Sequence, residues 1–176
     1  MKKILSSLLL VSATALALLP FSRLWADESS QSADAEVEIV WEKDYDTAIA
    51  KAKAEGKRIL VDFSGSDWCH WCKVMDKEVL SKQAFKDYAD EHLVLLFIDT
   101  PRKPQPEKLA RQSQILKNKY YIDGFPTFVV LNSEGAELDR RSGYVRGGPS
   151  NFINFLKVTE YAAAASSNDD AAKIAQ

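Results

Sequence analysis

The order of apolar and amphipathic segments predicts an α/β fold, with a central mixed sheet and helices on both of its faces. Buried-strand patterns at residues 58–63 and 93–98 are separated by helical periodicity. Strands joined through helices need crossover connections and parallel pairing. A third strand pattern at residues 127–131 leads into a turn and a fourth strand, which adds an antiparallel C-terminal hairpin. With 176 residues and no internal repeat, the chain has the length of one domain.

The first predicted elements are a short strand at residues 37–41 and an amphipathic helix. Asp44 can cap the start of that helix, and Gly56 can end it. The inward face of the helix carries apolar side chains at positions i, i+3, i+4 and i+7: Tyr45, Ala48, Ile49 and Ala52.

A buried strand at residues 58–63 contains one acidic residue, Asp62, and is broken by Gly65 and Ser66. A helix is predicted to begin at about Cys69, and helical spacing continues beyond it. Cys72, Met75 and Val79 share the inner face of this helix. The continuation has Phe85, Tyr88, Ala89 and His92 at helical spacing.

After the strand at residues 93–98, a proline-rich stretch at residues 101–106 makes a stiff connection. The remaining predicted elements are a helix at residues 107–120, hairpin strands at residues 127–131 and 136–140 around a turn at residues 133–135, and a last helix that points Phe152, Phe155 and Leu156 inward.

Composition excludes several classes of protein. The formal net charge is -2, which provides no field for a nucleic-acid partner. Two cysteines are too few for a disulfide-rich scaffold, and alone they cannot complete a four-ligand zinc site. Both lie in one window, Cys69-His70-Trp71-Cys72, so the chemistry to be explained is concentrated there.

Residues 1–26 have the layout of a secretory signal peptide, with basic Lys2 and Lys3, an uncharged apolar stretch, and small Ala26 at the cut. An uncleaved membrane anchor is the alternative, because the uncharged stretch is long enough to cross a bilayer. The chain is thus predicted to be periplasmic or secreted. The rest is predicted to form a flexible leader, a folded domain and a flexible tail, at residues 27–36, 37–161 and 162–176.

Cys69 is predicted to be a nucleophile, because it stands where a loop becomes a helix. Such settings lower a cysteine pKa from about 8.5 to roughly 3.5–7.5. Cys72 lies one turn later and deeper, where it can close a disulfide with the more exposed Cys69 and resolve a mixed disulfide. A protonated His70 would stabilise the thiolate further. The alternatives are two structural cysteines, or a metal site that adds His70 and His92; the position of the pair in an exported chain favours redox chemistry without a metal.

Asp62 is the second candidate catalytic residue. Burial of a carboxylate in an apolar strand raises its pKa toward neutrality, where it can accept and return a proton. Asp62 precedes Cys69 by seven residues, so we predict that it lies beneath the pair and takes the proton from Cys72. The alternative is that Asp62 faces solvent from the end of a strand.

These residues together resemble the thioredoxin superfamily, and in particular the small exported bacterial thioredoxin-like domains. The resemblance spans roughly residues 37–160. It is carried by the segments Trp41-Glu-Lys-Asp-Tyr45, Ile59-Leu-Val-Asp-Phe63, Gly65-Ser-Asp-Trp68, Cys69-His-Trp-Cys72-Lys73 and Gly124-Phe125-Pro126-Thr127, with Gly143 after them.

The resemblance implies a thioredoxin-like fold in which Pro126 is cis and packs beside the disulfide; from the sequence alone, a trans bond would be the default. It implies that Phe125 offers its backbone to an extended substrate strand, that Trp68 shields the cysteine pair, and that Asp62 is the buried acid. With Trp68, Phe125 and Pro126, the substrate-binding residues would include His70 and Trp71.

Two features depart from cytosolic thioredoxin. His70 and Trp71 stand where that protein has Gly-Pro, and the segment between Asp62 and Cys69 is one residue longer. The proline-rich loop at residues 101–106 is an elaboration. Because it follows a strand predicted to run parallel to residues 59–63, we expect it on the same edge of the sheet as Cys69, where it would shape the choice of partner.

The sequence therefore predicts an extracytoplasmic thiol-disulfide oxidoreductase. Its predicted partners are cysteine-containing exported proteins and a membrane electron donor or acceptor, with no nucleic acid and with no membrane contact beyond an uncleaved signal segment. No cofactor is needed, because the Cys69–Cys72 disulfide is itself the redox centre. The direction of electron flow stays open. The alternative function is a non-catalytic binding or chaperone-like module on the same fold.

Overall fold

The computed structural model describes residues 37–159, which form a four-stranded mixed sheet with helices on both faces. The strands are β1 (Arg58–Ser64), β2 (Leu93–Asp99), β3 (Thr127–Leu131) and β4 (Glu137–Ser142). The helices are α1 (Tyr45–Glu55), α2 (His70–Met75), which continues into a π-helical turn (Asp76–Leu80), α3 (Gln83–His92), α4 (Glu107–Lys119) and α5 (148–159).

The order of strands in the sheet is β2-β1-β3-β4. β1 and β2 pair in parallel, as their connection through helices predicts, and β3 and β4 form the predicted antiparallel hairpin. The expectation of parallel pairing is wrong for β3, which also follows a helix but runs antiparallel to β1. The reason is that residues 120–126 return the chain to the edge of the sheet where β1 ends, so that Thr127 pairs with Phe63.

The predicted first strand at residues 37–41 is not formed. A single parallel bridge joins Glu42 to Leu96, through hydrogen bonds from the Glu42 N–H to the Leu95 carbonyl (2.9 Å) and from the Phe97 N–H to the Glu42 carbonyl (2.9 Å). Before this bridge, the Val37 N–H donates to the Ser81 carbonyl (2.8 Å), and Ile39 and Trp41 pack against the apolar core. The segment therefore contacts the domain, but most of it has no strand partner.

Helix boundaries follow the local signals in the sequence. The Asp44 side chain accepts a hydrogen bond from the Thr47 N–H, and Gly56 ends α1 in the left-handed region with φ 65°, both as predicted. The predicted helix start at Cys69 is a cap: Cys69 is the N-cap residue and α2 begins at His70. The π-helical turn after α2 has no counterpart in the prediction.

Two apolar cores hold the sheet between its helices. One includes Phe128 and Phe152 with the inner side chains of α2 and α3, and the other includes Phe63 and the buried alanines of α1. The predicted inward residues of the last helix, Phe152, Phe155 and Leu156, are all buried. Among residues 37–159, no helix has the length and apolar composition needed to span a membrane. The predicted signal peptide, leader and tail lie outside the described residues.

Candidate active site

A disulfide joins Cys69 and Cys72, with an S–S distance of 2.07 Å and a Cα–Cα distance of 5.3 Å. Cys69 has extended backbone geometry and precedes the first turn of α2, and its Sγ accepts a hydrogen bond from the Cys72 N–H (3.2 Å). The helix start thus directs an amide donor at one sulfur of the pair, which is the arrangement that favours a thiolate there.

The predicted difference in exposure between the two cysteines is not found in the disulfide form. Cys69 is 5% exposed and Cys72 is 6% exposed. Any asymmetry between the two sulfurs therefore comes from their hydrogen bonds and neighbours and not from solvent access.

A tight turn connects β1 to Cys69. The N–H groups of Trp68 and Cys69 both donate to the Gly65 carbonyl, at 3.2 and 2.8 Å. The Trp68 indole lies so close to Gly65 that a Cβ at that position would be 2.5 Å from Trp68 Cε2. Gly65 is therefore required by the packing of Trp68, beyond its role in breaking the strand.

Asp62 lies in β1 and is 5% exposed, so the alternative of a solvent-facing carboxylate is wrong. Its Oδ1 has no hydrogen-bond partner. Burial, and then the negative charges of Asp76 and Asp99, raise the pKa of Asp62 to about 8. An open cleft of about 480 Å³ is lined by both Asp62 and Cys72, and we call this cleft the inner side of the site.

Asp76 is a residue of this site that sequence reasoning missed. It follows Cys72 by four residues, begins the π-helical turn, and lines the same cleft as Asp62. Its N–H bonds to the carbonyls of Cys72 and Lys73. The spacing from Cys72 is the signal that was available, because residues four apart on a helix lie on one face.

Trp68, which directly precedes Cys69, forms an aromatic pair with Phe125, and we call this pair the outer side of the site. The Trp68 and Phe125 rings meet edge to face with centroids 5.5 Å apart, and the Trp68 Nε1–H donates to the Thr100 carbonyl at 2.8 Å. The Phe125–Pro126 peptide bond is cis, and Pro126 is buried. Within residues 37–159, the peptide N–H and C=O of Phe125 make no hydrogen bond.

The two residues between the cysteines face outward. The His70 ring lies 5.1 Å from the Trp71 ring, and Trp71 is 53% exposed. Trp71 stacks on Tyr144, with centroids 5.5 Å apart and planes 27° apart. Tyr144, a second residue that the sequence analysis missed, donates its hydroxyl hydrogen to Glu78, and this hydrogen bond raises the pKa of Tyr144. The stack fixes Trp71 in place although the residue is half-exposed.

The proline-rich loop reaches the same edge of the sheet as Cys69, as predicted. Its anchor is Asp67, whose Oδ1 and Oδ2 accept the N–H groups of Arg102 and Lys103, both at 3.0 Å. The hydrogen bond from the Arg102 N–H is the main reason that the pKa of Asp67 is lowered. Nearby, Ser66 donates its N–H and its hydroxyl hydrogen to Asp99, at 2.9 and 2.6 Å.

The alternative metal site would need the two histidines to lie together with the cysteines. Across residues 37–159, no three His, Cys, Asp or Glu side chains are grouped so that they could hold a metal ion. His70 lies at the mouth of the site beside Trp71, whereas His92 ends α3 with its ring 4.5 Å from the Tyr88 ring. The two histidines therefore belong to different parts of the molecule.

Comparison with known proteins agrees with this geometry. The sequence profile of the thioredoxin-like domain family matches residues 45–159. The disulfide bond reductase DsbH of Chlamydia pneumoniae is 37% identical over 118 residues, which cover 66% of this chain and 70% of that protein. The thioredoxin-related protein DsbJ of the same organism is 32% identical over 130 residues, covering 73% of this chain but 37% of DsbJ.

A solved structure of the DsbH oxidoreductase superposes with a TM-score of 0.66 at 34% identity, covering 76% of this chain and 90% of that structure. The family match spans the cysteine pair and the whole sheet that carries it. The chain is thus homologous to thiol-disulfide oxidoreductases, and it belongs to the thioredoxin-like domain family.

Proposed function

We propose that this protein exchanges disulfides with cysteine pairs of other exported proteins, through Cys69 and Cys72. The observation that carries the proposal is the hydrogen bond from the Cys72 N–H to Cys69 Sγ at the start of α2. In the reduced protein this donor and the helix amides would stabilise a thiolate on Cys69, and only the thiolate is an effective nucleophile.

The proposed reaction has two exchanges. The Cys69 thiolate attacks one sulfur of a substrate disulfide, forms a mixed disulfide, and expels the other substrate sulfur as a thiolate. Cys72 then loses its proton to Asp62 and attacks Cys69 Sγ, which releases the second substrate thiolate and closes the Cys69–Cys72 disulfide. Two electrons pass from the pair to the substrate, and the same steps in reverse oxidise a dithiol.

Asp62 is suited to the second exchange because of where it is buried. A pKa raised to about 8 makes the ionised form of Asp62 a stronger base than an ordinary carboxylate, able to take the proton of Cys72, and the cleft that it shares with Cys72 connects it to solvent. Asp76 strengthens this property, because its negative charge opposes the ionisation of Asp62.

Substrate binding is assigned to the outer side of the pair. An extended substrate segment would form hydrogen bonds with the peptide groups of Phe125, beside the cis Pro126. Trp68 would cover the disulfide, and His70 and Trp71 would contact side chains that flank the substrate cysteine.

The place of action is proposed from the sequence of residues 1–26, which has the pattern of an export signal. An extracytoplasmic protein of this kind needs an electron partner at the membrane, a donor if it reduces substrates and an acceptor if it oxidises them. The similarity to a protein named disulfide bond reductase favours the reducing direction.

Equilibration of the purified protein with glutathione buffers of known ratio tests the proposal. A reducing enzyme is expected to have a potential near that of thioredoxin, about -270 mV, and an oxidising enzyme one near about -120 mV. A protein with no reversible Cys69–Cys72 couple would contradict the proposed chemistry. Unchanged biological activity of a Cys69→Ser variant would instead favour the binding or chaperone-like alternative.

A further inference from the structure

Two cations flank the aromatic pair on the outer side of the disulfide. The Arg102 guanidinium lies 5.3 Å from the centre of the Trp68 ring, and Lys117 Nζ lies 6.0 Å from the centre of the Phe125 ring. Since the two rings are themselves in edge-to-face contact, the four side chains form a continuous row, Arg102–Trp68–Phe125–Lys117. We call this row the basic-aromatic strip.

Both ends of the strip are held in position. Arg102 belongs to the loop that Asp67 anchors through two backbone hydrogen bonds, and Trp68 itself is bonded to Thr100 in that loop. Lys117 projects from the last turn of α4. Cations fixed over aromatic faces lose little freedom when a ligand binds, which is the condition for a preorganised site.

The positive charge of the strip is not neutralised inside the domain. Within the described part of the chain, no carboxylate forms a salt bridge with Arg102 or Lys117. Asp67, which contacts the loop of Arg102, uses both carboxylate oxygens to accept backbone N–H groups, and the adjacent Lys103 opposes its charge. The strip itself therefore carries two positive charges that no ion pair within the described residues neutralises.

We propose that the basic-aromatic strip binds an extended segment of the partner protein that carries acidic residues on both sides of its reactive cysteine. This inference rests on the proposed exchange reaction and names its substrate class. The three ring and cation separations together give a length of at most about 17 Å. An extended chain covers this length with about five residues, so a fitting segment has the form Glu-X-Cys-X-Glu.

The test uses three synthetic peptides with Glu, Gln or Lys at both flanking positions, each with its cysteine held in a disulfide with 2-mercaptoethanol. The reduced protein would transfer two electrons to this disulfide, releasing the peptide thiol and 2-mercaptoethanol and forming the Cys69–Cys72 disulfide. At low ionic strength the Glu peptide is expected to react about 10-fold faster than the Lys peptide. The difference should shrink at about 1 M salt, where the screening length is about 3 Å.

Charge reversal locates the effect. The double variant Arg102→Glu/Lys117→Glu is expected to reverse the order of the peptides, whereas Arg102→Lys/Lys117→Arg keeps it. The matched control is the double variant Lys53→Glu/Lys157→Glu, which makes the same change in net charge. Both of its positions lie near the start of β1, at the opposite end of the strand from Cys69. This control should leave the order of the peptide rates unchanged. Each rate is divided by the rate of the same variant with uncharged 2-hydroxyethyl disulfide, which corrects for changes in cysteine reactivity.

The possible results distinguish the proposed acidic substrate segment from the exchange reaction on which it rests. Equal normalised rates for the three peptides, or a preference for Glu that survives charge reversal at positions 102 and 117, would overturn the assignment of an acidic substrate segment. A wild-type protein that reduces neither 2-hydroxyethyl disulfide nor any peptide would overturn the proposed exchange reaction itself.

Discussion

The two sides of the Cys69–Cys72 disulfide differ in almost every chemical respect. The inner side is a cleft lined by a buried carboxylate, Asp62, and by an exposed one, Asp76, at the start of the π-helical turn. The outer side is formed by aromatic rings with cations over them.

This difference suggests a division of tasks. The inner groups belong to β1 and to the helix that follows it, which are held by the apolar core. The outer groups come from loops and from the end of α4, which contact each other through side chains and backbone hydrogen bonds. We therefore expect changes on the inner side to alter proton transfer and stability, and changes on the outer side to alter the choice of substrate.

The largest expected effect distinguishes the two cysteines themselves. Cys69→Ala should abolish turnover, by more than about 1000-fold, because the attacking thiolate is lost. Cys72→Ala should abolish turnover equally but accumulate a mixed disulfide on Cys69, because the resolving thiol is absent. Mass spectrometry of the trapped species checks this, and a mixed disulfide in Cys69→Ala would reverse the assigned roles.

Removal of the inner acid comes next. Asp62→Asn is expected to slow the second exchange by about 100-fold, the scale of general base catalysis, and to leave the first exchange less affected. In the wild type, the rate of the second exchange should rise with pH through about 8, as Asp62 ionises. Stopped-flow measurement of release from the mixed disulfide gives this profile.

Asp76→Asn is the matched variant for that experiment. Loss of its negative charge removes one cause of the raised pKa of Asp62, so the pH profile should move to lower pH while the group that accepts the proton is still present. A profile unchanged in both Asp62→Asn and Asp76→Asn would show that proton transfer does not use the inner cleft.

The same carboxylate should lower the stability of the folded protein at high pH. The folded-state pKa of Asp62 lies above its ordinary value, so the folded protein favours the protonated carboxyl. The contribution of the protonated group to folding stability is fully present below the unfolded-state pKa, near 3.8, and is lost as pH rises through about 8. Asp62→Asn is therefore expected to increase the free energy of unfolding by several kcal/mol at pH 9, with little change at pH 3.5. Urea unfolding of the disulfide form at both pH values measures it, and an equal gain at both would exclude the ionisation as the cause.

The smallest predicted effect is on the outer side. Gly65→Ala should destabilise the protein by about 1–3 kcal/mol, because the added methyl group would displace the Trp68 indole. Gly124→Ala is the control, since a Cβ there meets nothing within 4 Å. Tryptophan fluorescence during urea unfolding reports both the stability and the environment of Trp68, and equal effects of the two substitutions would contradict the packing argument.

Sequence patterns predicted those parts of the fold that depend on local chemistry. The buried strands β1 and β2, the Asp44 cap and the Gly56 stop all follow from residue type and spacing. The direction of β3 was not predictable in this way, because it depends on how residues 120–126 return across the sheet edge. The strand expected at residues 37–41 does not form, because residues with strand propensity still need a neighbouring strand with which to pair.

Prediction of the site was limited in the same way. Asp62 could be predicted because burying a carboxylate in an apolar strand costs free energy, so its presence there indicates a function. The cysteine pair could be predicted from its spacing. Asp76 and Tyr144 were missed because their importance lies in contacts across the fold: Asp76 with the Asp62 cleft, and Tyr144 with the exposed Trp71 ring. The role of each residue in exchange stays a prediction that the experiments above decide.

The single bridge between Glu42 and Leu96 has a consequence for self-association. β2 is an apolar strand at one edge of the sheet, and such an edge can recruit a strand from another molecule and lead to aggregation. Within residues 37–44, Glu42 pairs with Leu96 of β2 through this bridge. The short segment therefore covers part of the outer edge of β2. A chain that begins at Asp44 should therefore form larger species in analytical ultracentrifugation, while the chain with its bridge intact should not.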